Sequence, residues 1–343
     1  VLFPFAETFR PQELMPVKKL LQNLMGAKAF GDAFFEKNAV LCRECRKPVD
    51  PSGLPPLEFT QCPSCGKSLF IPLRVSDLML YEPTGAGGMA SVYKAYHRDL
   101  RNAVCAVKIL KNEFRGDERA VNEFLAEAKI HSQVPDHPCL VRFIESGHDN
   151  GFYYHAMNFV DGAKLLRLVE QRGRLQEKHT LLILDQILSA VEHIAAQGYL
   201  YRDMNAANII LPSENHAVLI DFGLAMPIQE ANAPVPDMKV VYGTPEYLPP
   251  ERLVGCGEDE RSTIYSLGHL ATFMLTGAVA FPKAVGLQGQ GHRLVTLALH
   301  ADHPGAYLAG GLQRIEQGQI VLRVERRAER LAETTDQARS TGL

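Results

Sequence analysis

Two groups of side chains in this 343-residue chain have the types and spacing for chemistry. The first bears oxygen: Asp203 and Asn208 lie within Tyr201-Arg202-Asp203-Met204-Asn205-Ala206-Ala207-Asn208, and Asp221-Phe222-Gly223 follows closely. One acid and two possible metal ligands thus stand in a fixed order. The second bears sulfur: Cys42 and Cys45 form one Cys-x-x-Cys pair, and Cys62 and Cys65 form another. Each such turn can aim two sulfurs at one ion, and Gly66 permits the tight backbone in which amides face the thiolates. Two pairs complete a tetrahedral site. Zinc is the leading expectation, with iron in a rubredoxin-like centre or a redox-active dithiol as the other readings. A closed four-thiolate site has no open position for chemistry, so its role is structural or regulatory. Cys105, Cys139 and Cys256 lie apart and are expected to be buried, unreactive thiols.

The rest of the chain must position these groups. A net charge of −3 with 46% apolar residues describes a globular protein without the basic excess that nucleic acid or an anionic membrane would call for. Val1–Pro4 opens no basic-then-apolar leader, so no secretory signal is expected, and unpaired thiolates fit a cytoplasmic chain. The initial Val reads as an unusual start codon or a fragment. Leu14, Val17, Leu20, Leu21, Leu24 and Met25 repeat at helical spacing, which predicts an amphipathic helix in residues 1–40, for packing or for a partner. The apolar stretch from Ile264 to Phe281 is broken by Ser266, His269, Thr272 and Thr276, so it predicts a buried helix and no membrane span. Lys178 to Gln197 predicts another, through Leu181, Leu182, Leu184, Ile187, Leu188, Val191 and Ile194. It delivers the chain to the Asp203 loop.

Upstream, Gly85-Ala86-Gly87-Gly88-Met89-Ala90-Ser91-Val92 is a glycine-rich turn running into a strand, and the next strand holds Ala106-Val107-Lys108. A helical segment follows with Glu123 and Glu127, and downstream stands Gly243-Thr244-Pro245-Glu246-Tyr247-Leu248-Pro249-Pro250-Glu251. Together with the Asp203 and Asp221 segments, this order resembles the bacterial serine/threonine protein kinase family over roughly residues 78–343. The double Cys-x-x-Cys before it is also similar in arrangement to mycobacterial protein kinase G. The resemblance implies an α+β, two-lobed protein-kinase-like fold preceded by a small metal-binding zinc-ribbon module. Its expected domains are a helical segment at 1–40, the four-cysteine module at 41–70 and a kinase domain at 78–343, with an N-lobe to about 157 and a C-lobe from about 161.

The same resemblance implies the roles. Gly85, Ala86, Gly87, Gly88, Val92, Ala106, Lys108, Met157, Asn158 and Val160 would bind ATP, with main-chain bonds from Asn158 and Val160 to the purine. Glu127 would orient Lys108, and Asp203 would take the proton of a substrate hydroxyl. Asn208 and Asp221 would hold magnesium or manganese. Protein Ser and Thr hydroxyls are the implied acceptors, because Gly243–Glu251 resembles a peptide platform. Phe222, Gly223 and Thr244 belong to the activation segment, and Glu251 would pair with an Arg late in the domain, for which Arg330 fits best.

Several positions depart from the family. Tyr201 replaces a His, Ala90 a glycine, and Thr263 an Asp that anchors the Asp203 loop. Asn205 stands where serine/threonine kinases carry a Lys that neutralises the transferring phosphoryl group, a loss that implies slower catalysis. Residues 224–242 contain no Ser or Thr, leaving Tyr242 as the one hydroxyl. Arg202, which receives the activating phosphate in many kinases, is therefore expected to find a fixed carboxylate such as Glu230 or Asp237, or the segment is held by the N-terminal module. Two alternatives stay open: a catalytically weak pseudokinase serving as a nucleotide-binding, zinc-bearing scaffold, and a small-molecule kinase of the same fold.

Overall fold

The computed structural model describes residues 33–100, 104–235 and 241–280. The expected N-terminal helix lies mostly outside these residues, although 33–37 are helical. Arg330 and Asp237 also lie outside them. The chain divides into two compact units, one reaching Lys111 and including Gly147–Tyr154, the other formed by Asn112–Ser146 and the chain from His155.

The first unit begins with two small antiparallel hairpins, β1 (Val40–Leu41) with β2 (Pro48–Val49), and β3 (Phe59–Gln61) with β4 (Ser68–Phe70). Then come β5 (Leu73–Val75), β6 (Leu78–Ala86), β7 (Ala90–His97) and β8 (Val104–Leu110), which with β9 (Phe143–Asp149) and β10 (Phe152–Asn158) form a six-stranded sheet ordered β5-β6-β7-β8-β10-β9. Alternation sets the faces. Cys105, Val107 and Ile109 are buried while Ala106 and Lys108 are half-buried on the opposite face. One core joins the hairpins to this sheet: Phe34, Val40, Cys42, Val49, Cys62, Leu69 and Ile71 pack with Met79 and Tyr96.

The second unit is mainly helical. Helix α1 (Glu118–Gln133) starts where the Asp117 carboxylate accepts the N–H of Arg119 at 2.9 Å and of Ala120, and it buries Ala120, Phe124, Ala128 and His131 on one stripe. Helices α2 (Leu165–Arg172) and α3 (Glu177–Ala195) follow, α3 burying Ile183, Leu184, Ile187, Leu188, Val191 and Ile194 as its periodicity requires. The hairpin of β13 (Ile209–Ser213) and β14 (His216–Leu219) carries β11 (Ala163–Lys164) on its edge, and β12 (Tyr199–Leu200) pairs with β15 (Met226–Pro227). Short helices α4 (Ile228–Ala231) and α5 (Pro250–Leu253) precede α6 (Glu260–Thr276). In α6, Asp259 and Ser262 form a capping box, and Gly277 closes the helix at φ 74°.

No helix among the described residues is long and apolar enough to cross a membrane. Cys105 and Cys139 are buried as expected, but Cys256 is exposed. It sits in the turn between α5 and α6, where the chain runs along the surface.

Candidate functional site

The Asp203 loop is organised by its own side chains. Asn205 caps the single 3₁₀ turn Ala206–Asn208, its Oδ1 accepting the N–H of Ala207 at 2.9 Å and of Asn208 at 3.2 Å. Its Nδ2 donates to Asp203 Oδ1 at 3.0 Å and to the Asp203 carbonyl at 3.2 Å. From the other side, Asn208 Nδ2 donates to Asp203 Oδ2 at 2.8 Å and to the same carbonyl at 3.0 Å. Both carboxylate oxygens are therefore gripped by amides, which fixes the χ angles of Asp203. Asn205 is 4% exposed, and its amide spends its capacity inside the loop.

Asp221 is brought to this loop by a main-chain bond from Ile220 N–H to the Asn208 carbonyl at 2.9 Å. Gly223 N–H donates to Asp221 Oδ1 at 2.9 Å. A Cβ on Gly223 would lie 3.2 Å from that oxygen and 3.5 Å from Glu127 Oε2, so Glu127 approaches the Asp221 segment directly. Burial pushes the Asp203 carboxyl up from the ordinary Asp value against the pull of Asn208, and the charge of Asp221 adds to the rise. Asp221 and Asn208 offer oxygen ligands of the kind that suit a hard cation.

Beneath them runs a stack of rings. Phe222, 1% exposed, lies flat on His131 of α1 with centroids 4.4 Å apart, and Tyr201 meets its edge at 6.4 Å. His131 in turn meets Phe143 at 5.6 Å. The two buried histidines have assignable protons. His131 Nε2 faces the Val141 carbonyl at 2.8 Å and must carry hydrogen, so Nδ1 accepts from His155 Nε2 at 2.9 Å. The other nitrogen of His155 lies 3.8 Å from Glu127 Oε1. His131 was missed by sequence reasoning, although its place four residues after Glu127 puts both on one side of the helix.

The loop backbone is held from below by donors. Thr263 Oγ1 donates to the Tyr201 carbonyl at 3.0 Å, and Arg252 Nη1 donates to the Arg202 carbonyl at 2.9 Å. Arg202 itself meets Glu258 rather than Glu230, and the other expected acid, Asp237, lies outside the described residues. The reason is position: Glu258 is brought under the loop by the turn before α6. Glu251 accepts from Ser262 Oγ. Thr244 caps the turn Pro245–Tyr247 through its carbonyl, not its side chain.

In the first unit, strand register aligns the expected nucleotide residues. Gly85 pairs with Val92, Val92 with Lys108, and Lys94 with Ala106. The glycine turn closes with Gly87 N–H on the Ala90 carbonyl at 2.8 Å, and Lys111 Nζ donates to the Gly88 carbonyl at 2.8 Å. In the second unit, Met157 is buried, and Asn158 N–H is taken by the Arg142 carbonyl at 3.0 Å. A purine bond from Asn158 would therefore use its carbonyl.

The four cysteines form a single cluster. Cys42 and Cys65 sulfurs are 3.7 Å apart, Cys45 and Cys62 3.8 Å, and all four lie within 4.8 Å of one another. Tetrahedral sulfurs at a zinc–sulfur distance of about 2.3 Å stand about 3.8 Å apart, whereas a disulfide needs about 2.05 Å. The donor set fits a metal. Each pair sits in a matching turn: Arg46 N–H donates to the Cys42 carbonyl at 2.9 Å and Gly66 N–H to the Cys62 carbonyl at 2.8 Å, with φ of 60° and 69°. The Ser64 N–H lowers the Cys62 thiol to about 7. Cys65 goes to about 12: the Lys67 N–H lowers it, but burial and the neighbouring sulfurs outweigh that. Arg43, inside the first pair, bonds Glu82 of β6 at 3.1 Å, and Glu82 also holds Lys94 at 2.8 Å.

Comparison with known proteins agrees with this geometry. The family described as protein kinase domain matches residues 79–303. The chain is 32% identical over 225 residues to the serine/threonine-protein kinase PrkC of Bacillus subtilis, covering 65% of this chain and 33% of that protein. It is also 32% identical over 216 residues to the serine/threonine-protein kinase PknB of Mycobacterium tuberculosis, covering 61% and 34%. A probable serine/threonine-protein kinase PknB of Lactococcus lactis is 30% identical over 197 residues, covering 57% and 31%. The chain spans about a third of the length of these curated relatives. With the order of the Asp203 loop, the Asp221 segment and the family match in agreement, the chain belongs to the protein kinase domain family.

Proposed function

We propose that the chain is an ATP-dependent kinase of protein Ser and Thr hydroxyls. The observation that carries this reading is the Asp203 carboxylate, held through both oxygens by Asn205 and Asn208 beside Asp221. Such a carboxylate can accept the proton of an acceptor hydroxyl while that oxygen attacks the γ-phosphorus and the bond to the β–γ bridging oxygen breaks, releasing ADP. No phosphoenzyme forms. Asn208 and Asp221 would hold magnesium or manganese, which supplies charge neutralisation on the phosphates. Lys108 would bind the α- and β-phosphates and Glu127 would orient it, under a lid of Gly85–Gly88. Val92, Ala106, Met157, Asn158 and Val160 would enclose the purine. A Ser/Thr substrate class is supported by the relatives' names and by the platform at Gly243–Glu251.

The domain reading places a four-cysteine module at 41–70, with zinc held by Cys42, Cys45, Cys62 and Cys65, before a kinase domain from about 78. It is supported by the sulfur spacing and by a core that the module shares with β6 and β7. Four thiolates require a reducing compartment, which supports a cytoplasmic location.

Asn205 acts in this reading as a positioning residue for Asp203. Asn205→Ala is expected to cost about 1 kcal/mol as a lost cap and to lower kcat on the order of tenfold through a looser Asp203. Asn205→Lys, although it restores the residue usual in the family, is expected to be no faster, because Lys has no acceptor for the Ala207 and Asn208 N–H groups. Steady-state rates with thermal melts check both. A Lys variant faster than the parent would show that the missing charge limits the rate.

The test of the reading is transfer of labelled γ-phosphate from Mg–ATP to a mixed protein acceptor beside Asp203→Asn. ATP binding with no label above that variant would replace the enzyme with the scaffold alternative.

A further inference from the structure

Arg202 precedes Asp203, and its guanidinium is largely covered. Its Nε donates to Glu258 Oε1 at 2.9 Å, its Nη2 reaches the same oxygen, and its Nη1 donates to Met226 Sδ at 2.8 Å. The second oxygen of Glu258 serves Arg252, taking Nε at 2.8 Å and Nη2 at 2.5 Å. One carboxylate thus bridges two arginines. Glu258 is 3% and Arg252 4% exposed, so each is a buried charge that is costly without the other. Arg252 continues to the carbonyls of Arg202 at 2.9 Å and Tyr242 at 3.3 Å. The cluster therefore ties the catalytic loop to the end of the activation segment.

The loop carrying Glu258 is also fastened to the start of that segment. Glu258 N–H donates to the Ala231 carbonyl at 2.7 Å, and Val235 N–H to the Gly255 carbonyl at 2.9 Å. A Cβ at Gly257 would overlap the Asn232 carbonyl oxygen, so only glycine permits this approach. Two converging arginines are the usual receptor for a phosphate, which offers several acceptor oxygens to bidentate donors. Here the acceptor is part of the chain. Residues 224–242 contain no Ser or Thr that a phosphate could occupy.

We propose that Glu258 is a built-in substitute for an activating phosphate, a positioning residue that bridges Arg202 and Arg252 and keeps the catalytic loop and activation segment assembled without phosphorylation. The proposal rests on the kinase reading above. It also accounts for Thr263: the acid that the family places there is absent, and the loop is held instead by donors to the Tyr201 and Arg202 carbonyls, one of them on an arginine that Glu258 fixes.

The test uses the full chain, phosphatase-treated and shown by mass spectrometry to carry no phosphate. Wild type is expected to keep its kcat within about twofold after treatment, whereas Glu258→Gln loses on the order of 10- to 100-fold in kcat with KM for ATP little changed. Amide exchange across 199–208 and 226–235 is expected to quicken about tenfold or more in Glu258→Gln while α3 keeps its protection, and Glu258→Asp should recover part of both losses. If Glu258→Gln does not fold, the neutral triple variant Arg202→Gln, Arg252→Met, Glu258→Gln avoids a lone buried charge and is expected to fold with the same low kcat. Wild-type activity that vanishes with phosphate on Tyr242 would overturn the proposal, as would a Glu258→Gln or triple variant with unchanged kcat and exchange. If wild type transfers no phosphate at all, the kinase reading fails, and the exchange data alone uphold or overturn the bridge.

Discussion

Asp203→Asn is expected to lower kcat by about three orders of magnitude, or about 4 kcal/mol, while the affinity for Mg–ATP stays within a few-fold. The expectation follows from how the side chain is held. Its two oxygens accept from Asn205 and Asn208, so the carboxylate is already aimed before any acceptor arrives. An amide keeps the volume but cannot take a proton, and its NH2 faces a donor on one side. In the proposed reading other groups hold the nucleotide, so binding should outlast the chemistry. Rate measurements paired with calorimetric titration of Mg–ATP check this. A variant that lost less than about tenfold would show that proton transfer to Asp203 is not part of the limiting step.

Removal of the metal proposed for the four cysteines is the second large effect expected. Cys42 and Cys62 are 0% and 1% exposed within the core that also holds Leu69, Ile71, Met79 and Tyr96. Structural zinc contributes on the order of 10 kcal/mol to folding, against a whole-domain stability of about 5–15 kcal/mol. Cys62→Ser, or prolonged chelation, should therefore melt the two hairpins and loosen β6 and β7, with a drop of about 10 °C or more in the first thermal transition. Transfer activity should fall with it, because Arg43 in the first Cys turn holds Glu82 three residues before Gly85. Elemental analysis should find one zinc per chain. Iron would be recognised by visible absorption, which a filled d shell cannot give. An unchanged melt after complete metal loss would show that the cysteines only fill space.

Much of this was legible where the signal is local. The Cys-x-x-Cys turns, the period of α3 and the closeness of Asp203 to Asn208 depend on neighbours within a turn or two, and the structure brings each set together. The helix read from Ile264 is present as α6, buried and capped. What was not legible depends on distant partners. Arg202 was expected to meet an acid within the activation segment, and it meets Glu258 across 56 residues of chain. Nothing near Glu258 marks it as buried. Asn205 was read by what it lacks, a charge, and the structure shows what it does, capping one turn and holding Asp203. His131 and His155 are ordinary in sequence and become a proton-linked pair only when α1 and β10 pack. Cys256 looked like one more buried thiol because composition carries no record of which turn faces solvent.

The most direct measurement of the central claim is phosphoamino-acid analysis of a protein acceptor after a single turnover with γ-labelled Mg–ATP and the full chain. The reading calls for phosphoserine and phosphothreonine that survive acid hydrolysis, with none formed by Asp203→Asn. Label confined to a small molecule, to an acid-labile acyl phosphate, or to neither acceptor while ATP remains bound would contradict it.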